Sequence, residues 1–354
     1  MKPGWQAISL RRFGGAAVGL SGAARGQNQR AGLVIRISDH QGGWGQGEAS
    51  PLPGYSRDTL EQSSAQLGRL DPARLPWPGV DEAADAWCQR ALAASGVYAP
   101  AARFALETAL LDWFGRRHGI ALWHLLGGSD ATRQVPLSAL VADLVEARRA
   151  YAAGLRCFKL KLDPAQLDRD LALAAELRTE FGPAVALRFD ANGRFAPEQV
   201  ADALSKLARY RPEFVEEPVA GAELAALRQV PVVLAADESL AQAALWPALA
   251  ASCRVLVLKP TLLGGLLRCR QLAVDAAERG MAVSLTHTFD GPIAQAATAQ
   301  LALALPGRVL ACGLGRHAAA GLWPAAAWPE WREGMISANE SPGLGLPELA
   351  LGTS

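Results

Sequence analysis

Between residues 159 and 260, five short polar clusters each close an apolar, strand-like run: Lys159-Leu-Lys161, Asp190-Ala-Asn192, Glu216-Glu217-Pro218, Asp237-Glu238 and Lys259-Pro260. Counted from Lys161 to Asp190, Glu216, Asp237 and Lys259, the steps are 29, 26, 21 and 22 residues, each about one strand plus one helix. Such a period constrains the chain to repeated β–α units. In a barrel of these units every strand ends at the same face, so residues far apart in sequence meet around one pocket. Three carboxylates and three lysines are expected there.

The fold class expected is α/β, a (β/α) barrel with an α+β capping domain. At 354 residues the chain exceeds the roughly 250 that a barrel uses. Strand character at 5–11, 31–38 and 43–49 predicts a small antiparallel sheet, its third strand loosened by glycines, and helical patterns follow at 57–69, 81–95 and 100–117. Barrel strands are predicted at 136–141, 156–161, 185–190, 213–216, 231–236, 254–259, 281–286 and 308–312. Residues 1–125 thus read as the capping domain, 126–316 as the barrel, and 317–354, irregular and rich in Trp, Pro and Gly, as a segment returning to the cap.

Composition excludes other classes. Half the residues are hydrophobic and 19% charged, ample for a core. Thirty-five basic against 34 acidic residues give a net charge of +1 with no long basic run, which argues against nucleic acid as a partner. No apolar run is long enough to span a bilayer and the N-terminus lacks a secretion pattern, so a soluble cytoplasmic protein is expected, with no membrane partner. The five cysteines, Cys88, Cys157, Cys253, Cys269 and Cys312, are odd in number and never form C-x-x-C, and they read as small buried hydrophobes.

Asp190, Glu216 and Asp237 end successive strands, and three carboxylates in one partly buried pocket repel without a cation. Oxygen-only ligands suit a hard divalent ion, Mg²⁺ before Mn²⁺. Lys159 and Lys161, two apart on one strand, point to the same side, and Lys259 ends a strand nearly opposite. Beside a metal, an amine's charged form is disfavoured, so its pKa can fall and it can serve as base and acid.

At these residues the chain resembles the enolase superfamily, in particular its muconate-lactonising branch. The resemblance implies Lys159 and Lys161 on strand two, metal ligands Asp190, Glu216 and Asp237 on strands three to five, and Lys259 on strand six. A lysine or histidine base with Mg²⁺ stabilising an enediolate is the general description of such sites. Three segments are similar to the o-succinylbenzoate synthase family of that branch: Gly45-Gln-Gly-Glu-Ala-Ser-Pro-Leu-Pro-Gly-Tyr-Ser56, Leu258-Lys-Pro-Thr-Leu-Leu-Gly264 and Ala311-Cys-Gly-Leu-Gly315. That likeness implies a dehydratase of menaquinone biosynthesis acting on a small-molecule dicarboxylate, with Lys161 as base and acid, Lys259 stabilising the enediolate and Lys159 tuning Lys161. Asn192 would orient metal ligands and Glu238 would orient Lys259.

Several relatives stay open or recede. N-succinylamino acid racemases share both lysines, and muconate cycloisomerases share the scaffold. Dipeptide epimerases carry Asp-x-Asp where this chain has Gly313-Leu-Gly315. A barrel that only binds a metabolite would need no base on either side. Thr286, His287 and Gly313, at the ends of strands seven and eight, are expected in the substrate wall, with His287 a wall residue more than a base. The glycine-rich segment Gly14–Arg30 reads as a mobile lid whose Arg25 and Arg30 would meet the second substrate carboxylate.

Overall fold

The computed structural model describes residues 4–17, 28–129 and 133–349. It begins with an antiparallel sheet of β1 (Trp5–Ala16), β2 (Gln29–Asp39) and β3 (Trp44–Ala49), in that order. Helices α1 (Leu60–Leu67), α2 (Ala84–Ser95) and α3 (Pro100–His118) complete the cap. Pro100 starts α3, Arg116, Arg117 and His118 occupy its last turn, and left-handed Gly119 ends it, so both ends suit the helix dipole and its unpaired backbone groups. Nearly the whole of α3 is buried, because β3 covers one side and the barrel another. The glycines of β3 do not loosen it. A Cβ at Gly45 would lie 2.1 Å from the Ala109 carbonyl oxygen, and one at Gly47 would lie 1.8 Å from that of Ala105, so they permit strand and helix to touch.

After α4 (Leu122–Leu125) and β4 (Gln134–Pro136), eight parallel strands follow in chain order: β5 (Ala139–Leu140), β6 (Cys157–Lys161), β7 (Ala186–Asp190), β8 (Phe214–Glu216), β9 (Leu234–Ala236), β10 (Val255–Leu258), β11 (Ala282–Leu285) and β12 (Arg308–Val309). The intervening helices are α5 (Leu144–Ala152), α6 (Leu167–Phe181), α7 (Val200–Ala208), α8 (Gly221–Ala226), α9 (Trp246–Ser252), α10 (Pro260–Leu263), α11 (Leu266–Glu278) and α12 (Pro292–Ala304). The two ends of the sheet meet where the Ser138 N–H donates to the Cys312 carbonyl (2.9 Å) and the Cys312 N–H donates to that of Pro136 (2.8 Å). The first predicted barrel strand, 136–141, is therefore two pieces, since β4 turns away to pair with β13 (Met335–Ser337).

Alternation along the strands divides the barrel. Val255 and Val257 pack inward with Phe214, Ala235, Ala282 and Leu310, while Phe158, Leu160, Phe189 and Leu256 join the core shared with the helices. Arg188, 2% exposed, donates to Glu213 (2.7 Å) and to the Ala311 carbonyl (2.6 Å) and lies 4.6 Å from the Phe214 ring centre. All five cysteines are buried thiols. Among the described residues no helix is long and apolar enough to cross a membrane.

Two buried acids fasten the cap to the barrel. Glu107 of α3 accepts from the Leu267 N–H (2.9 Å) at the start of α11. Glu48 of β3 accepts from the N–H groups of Gly291 (2.6 Å) and Ala294 (3.3 Å) at the start of α12. The acids thereby satisfy donors that a helix N-terminus leaves unpaired. Glycines make the room, since a Cβ at Gly265 would come within 2.5 Å of the Glu107 carboxylate and one at Gly291 within 2.6 Å of that of Glu48. Burial pushes both carboxyls up to about 7, with Asp290 adding to the rise at Glu48. The chain's end also reaches the cap, where the Leu344 N–H donates to Asp112 (2.8 Å) and the Gln46 side chain bonds Pro347 and Leu349.

Candidate active site

The polar clusters meet because their strands are in phase. Lys161 is directly opposite Asp190, and Asp190 opposite Glu216, in the parallel register. The Lys159 ammonium donates to both Glu216 oxygens (2.8 and 2.7 Å) and lies 2.7 Å from Asp190. Lys161 donates to Asp190 and to Asn192 Oδ1 (2.7 Å), and Lys259 donates to Asp237 and to the Tyr55 hydroxyl. The acids are deeply buried, whereas the side chain of Lys161 is 28% exposed, against 16% for Lys159 and 9% for Lys259. All three lysines line one cavity of about 600 Å³.

Burial and charge pull these groups in different directions. Burial raises the Asp190 carboxyl, but Lys159, Lys161 and Lys259 outweigh it and hold it well below the usual range. Asp237 goes the other way, since burial and the charge of Glu238 exceed the pull of Lys259. Burial lowers Lys159 and Lys259, yet the facing carboxylates prevail and raise both.

Asn192 and Glu238 form a bridge. Asn192 receives Lys161 and donates to Glu238 Oε1 (2.8 Å), and the Tyr55 hydroxyl donates to the same oxygen (2.9 Å). Asn192 therefore orients Lys161 through its side chain, and touches Asp190 through its backbone N–H (3.0 Å). Glu217 braces the site from behind, accepting from the backbone of Asp237 (2.8 Å) and Ser239 (2.9 Å). Asn192 and Glu217 both sit at positive φ, +47° and +41°, an uncommon conformation that clusters at functional sites.

At the far wall, Thr286 donates to the Gly313 carbonyl (3.2 Å), and a Cβ at Gly313 would come within 2.9 Å of the Thr286 hydroxyl. His287 lines the cavity, accepts from the Phe289 N–H at Nδ1 (3.0 Å), and is held neutral chiefly by burial. Arg30 is placed otherwise than expected. Gly14, Gly15 and Arg30 are strand residues, paired in the β1–β2 hairpin, and Arg30 is 2% exposed. Its guanidinium donates to the carbonyls of Pro51 (2.9 Å), Thr288 (3.0 Å) and Phe289 (2.9 Å), so it pins the loop after β11 to the cap and does not line the cavity. Arg25 and the rest of the expected lid, residues 18–27, lie outside the described residues.

Sequence reasoning assigned no role to Tyr55, although it is the last residue but one of a quoted segment; its signal was an aromatic in a tight Leu52–Ser56 turn. Phe289 and Arg316 also line the cavity and were missed.

Three buried carboxylates gathered about shared ammonium groups are a donor set suited to a hard cation, and among the described residues Glu238 Oε2 is buried without a partner. Among the described residues, no three acids, histidines or cysteines are already spaced as a metal cage. The carboxylates fit such an ion once it exchanges with the ammonium contacts they make.

Residues 142–347 match the family model described as enolase C-terminal domain-like. The chain is 31% identical over 310 residues to o-succinylbenzoate synthase of Desulfotalea psychrophila, covering 74% of this chain and 80% of that one. A dipeptide epimerase from Methylococcus capsulatus, complexed with Mg and the dipeptide L-Arg-D-Lys, superposes with a TM-score of 0.80 at 28% identity, over 97% of this chain and 99% of that one. The muconate lactonizing enzyme from Pseudomonas fluorescens shares the fold at a TM-score of 0.84 and 22% identity, over 97% of this chain and 96% of that one. The chain belongs to the enolase superfamily, in its muconate-lactonising branch.

Proposed function

We propose that this protein is an o-succinylbenzoate synthase that dehydrates 2-succinyl-6-hydroxy-2,4-cyclohexadiene-1-carboxylate with syn geometry. The observation that carries the reading is that Lys161 and Lys259 enter one cavity from β6 and β10, on either side of three buried carboxylates. Likeness to a synthase over most of the chain favours this substrate, and a strand-eight end without a carboxylate disfavours a substrate amine.

Lys161, the most exposed of the three amines, is suited to meet the substrate. In its amine form it would take the proton beside the ring carboxylate, then return it to the departing hydroxyl, so that a C–H and a C–O bond break, water leaves and the ring becomes aromatic. Lys259, held by Asp237 and Tyr55, would present positive charge from the opposite side. Asp190, Glu216 and Asp237 would hold Mg²⁺, which when bound supplies charge against the developing enediolate.

Purified protein incubated with the cyclohexadiene substrate and, separately, with N-succinyl amino acids in D₂O distinguishes dehydration from racemisation. Aromatisation of the first supports the synthase; deuterium exchange in the second without aromatisation overturns it in favour of a racemase.

A further inference from the structure

The substrate proposed above has two carboxylates, and the reacting one belongs among the lysines and acids. The other ends a flexible succinyl arm and needs a separate counter-charge, because burying an unpaired carboxylate is costly. Each cavity lysine already faces a carboxylate: Lys159 faces Asp190 and Glu216, Lys161 faces Asp190, and Lys259 faces Asp237.

Among the described residues one further cation lines the cavity: Arg316, on the loop directly after the strand-eight end. It is exposed, and among the described residues its guanidinium makes a single hydrogen bond, 3.2 Å to the Ala325 carbonyl. Among the described residues no carboxylate pairs with it. Other lining groups do not compete for the role. His317 donates from Nε2 to the Asp290 carbonyl (2.7 Å) and accepts at Nδ1 from the Ala319 N–H (3.2 Å), which leaves it neutral and occupied. The lining acid Glu146 accepts from the Ala142 N–H (2.8 Å). Leu52 and Phe289 add apolar surface to the same lining, against which the arm's methylenes can lie.

We propose that Arg316 reads the distal carboxylate of the substrate, a specificity role that rests on the synthase reading. A guanidinium matches a carboxylate with two parallel N–H donors. The contact is made far from the reacting carbon, so it supports binding more than chemistry.

The test is calorimetric binding, with Mg²⁺ present, of o-succinylbenzoate and of 2-butanoylbenzoate, which carries a methyl group in place of the distal carboxylate. Arg316→Met should weaken o-succinylbenzoate roughly 10–100-fold, as loss of a hydrogen-bonded charge pair does. Its affinity for 2-butanoylbenzoate should not change, and Arg316→Lys should recover part of the loss. In turnover, KM should rise while kcat stays within a few-fold. Unchanged o-succinylbenzoate affinity, or equal loss for both ligands, overturns the role of Arg316 while leaving the synthase intact. Wild-type protein that neither binds o-succinylbenzoate nor aromatises the diene overturns the synthase reading, and the role of Arg316 with it.

Discussion

Asp190, Glu216 and Asp237 at the barrel mouth are as buried as Glu48 and Glu107 beneath the cap, but their partners differ in kind. The mouth acids face ammonium groups on flexible stems, whereas the seam acids face N–H groups fixed at the starts of α11 and α12. An ammonium can withdraw when another cation arrives; a helix terminus cannot. Buried carboxylates therefore do two jobs here, holding an exchangeable charge at the mouth and a permanent joint at the seam.

The largest effect that could break this contrast is removal of divalent ions. Exhaustive chelation should abolish turnover and lower the Tm, because the stabilisation by ligand linkage is lost. Calorimetry should detect Mg²⁺ binding to the wild type and much weaker binding to Asp190→Asn. Full activity in protein shown by metal analysis to be ion-free would show that the mouth acids hold no exchangeable metal.

Next in size is Lys161→Ala, which should lower kcat by roughly 10²–10⁴-fold, the usual contribution of general acid–base catalysis. Its Tm should stay close to that of the wild type, since Lys161 is the most exposed of the three lysines. Glu107→Ala should show the converse, a lowered Tm with turnover per folded molecule retained. A Lys161→Ala protein that turned over normally while Lys259→Ala did not would exchange the roles of the two lysines.

The seam has its own pH signature. Glu107 keeps its proton up to about 7 in the folded protein but releases it near 4.5 when unfolded. Between those values the native state binds more protons, so stability falls as pH rises through the window and levels off above it. The fall attributable to this group is about 3 kcal/mol. In urea unfolding from pH 4.5 to 7.5, Glu107→Gln, which mimics the protonated acid, should lose less stability than the wild type, so that its stability relative to the wild type rises with pH. Parallel curves would mean that burial does not hold the Glu107 carboxyl protonated through this window.

The mouth was legible in the sequence because its residues interrupt apolar strands at a fixed period, and parallel register brings such positions together. The seam was not. Glu107 lies inside a helix with buried residues all round, and its partner Leu267 is 160 positions away, so no local pattern distinguishes it from a surface acid. Glycines misled twice for one reason: Gly14 and Gly15 read as loop and Gly45 and Gly47 as loosening, whereas all four are strand residues, and the latter two admit a helix backbone. Arg30 was read by charge alone, and only the fold reveals that the loop after β11 presents carbonyls to it.

Tyr55 sharpens the comparison, because it is the cap's direct hold on the exchangeable site. Its hydroxyl receives Lys259 and donates to Glu238, across more than 180 positions of sequence. Tyr55→Phe keeps the ring, which lies 4.9 Å from the Lys259 ammonium, and removes only the bridging oxygen. A hydrogen bond to a charged group contributes about 1.5 kcal/mol, so kcat should fall about 10-fold. The Tm should barely move, since the seam acids and not this hydroxyl fasten the cap. A lowered Tm with unchanged kcat would instead make Tyr55 part of the joint, and the mouth would then owe its geometry to the barrel alone.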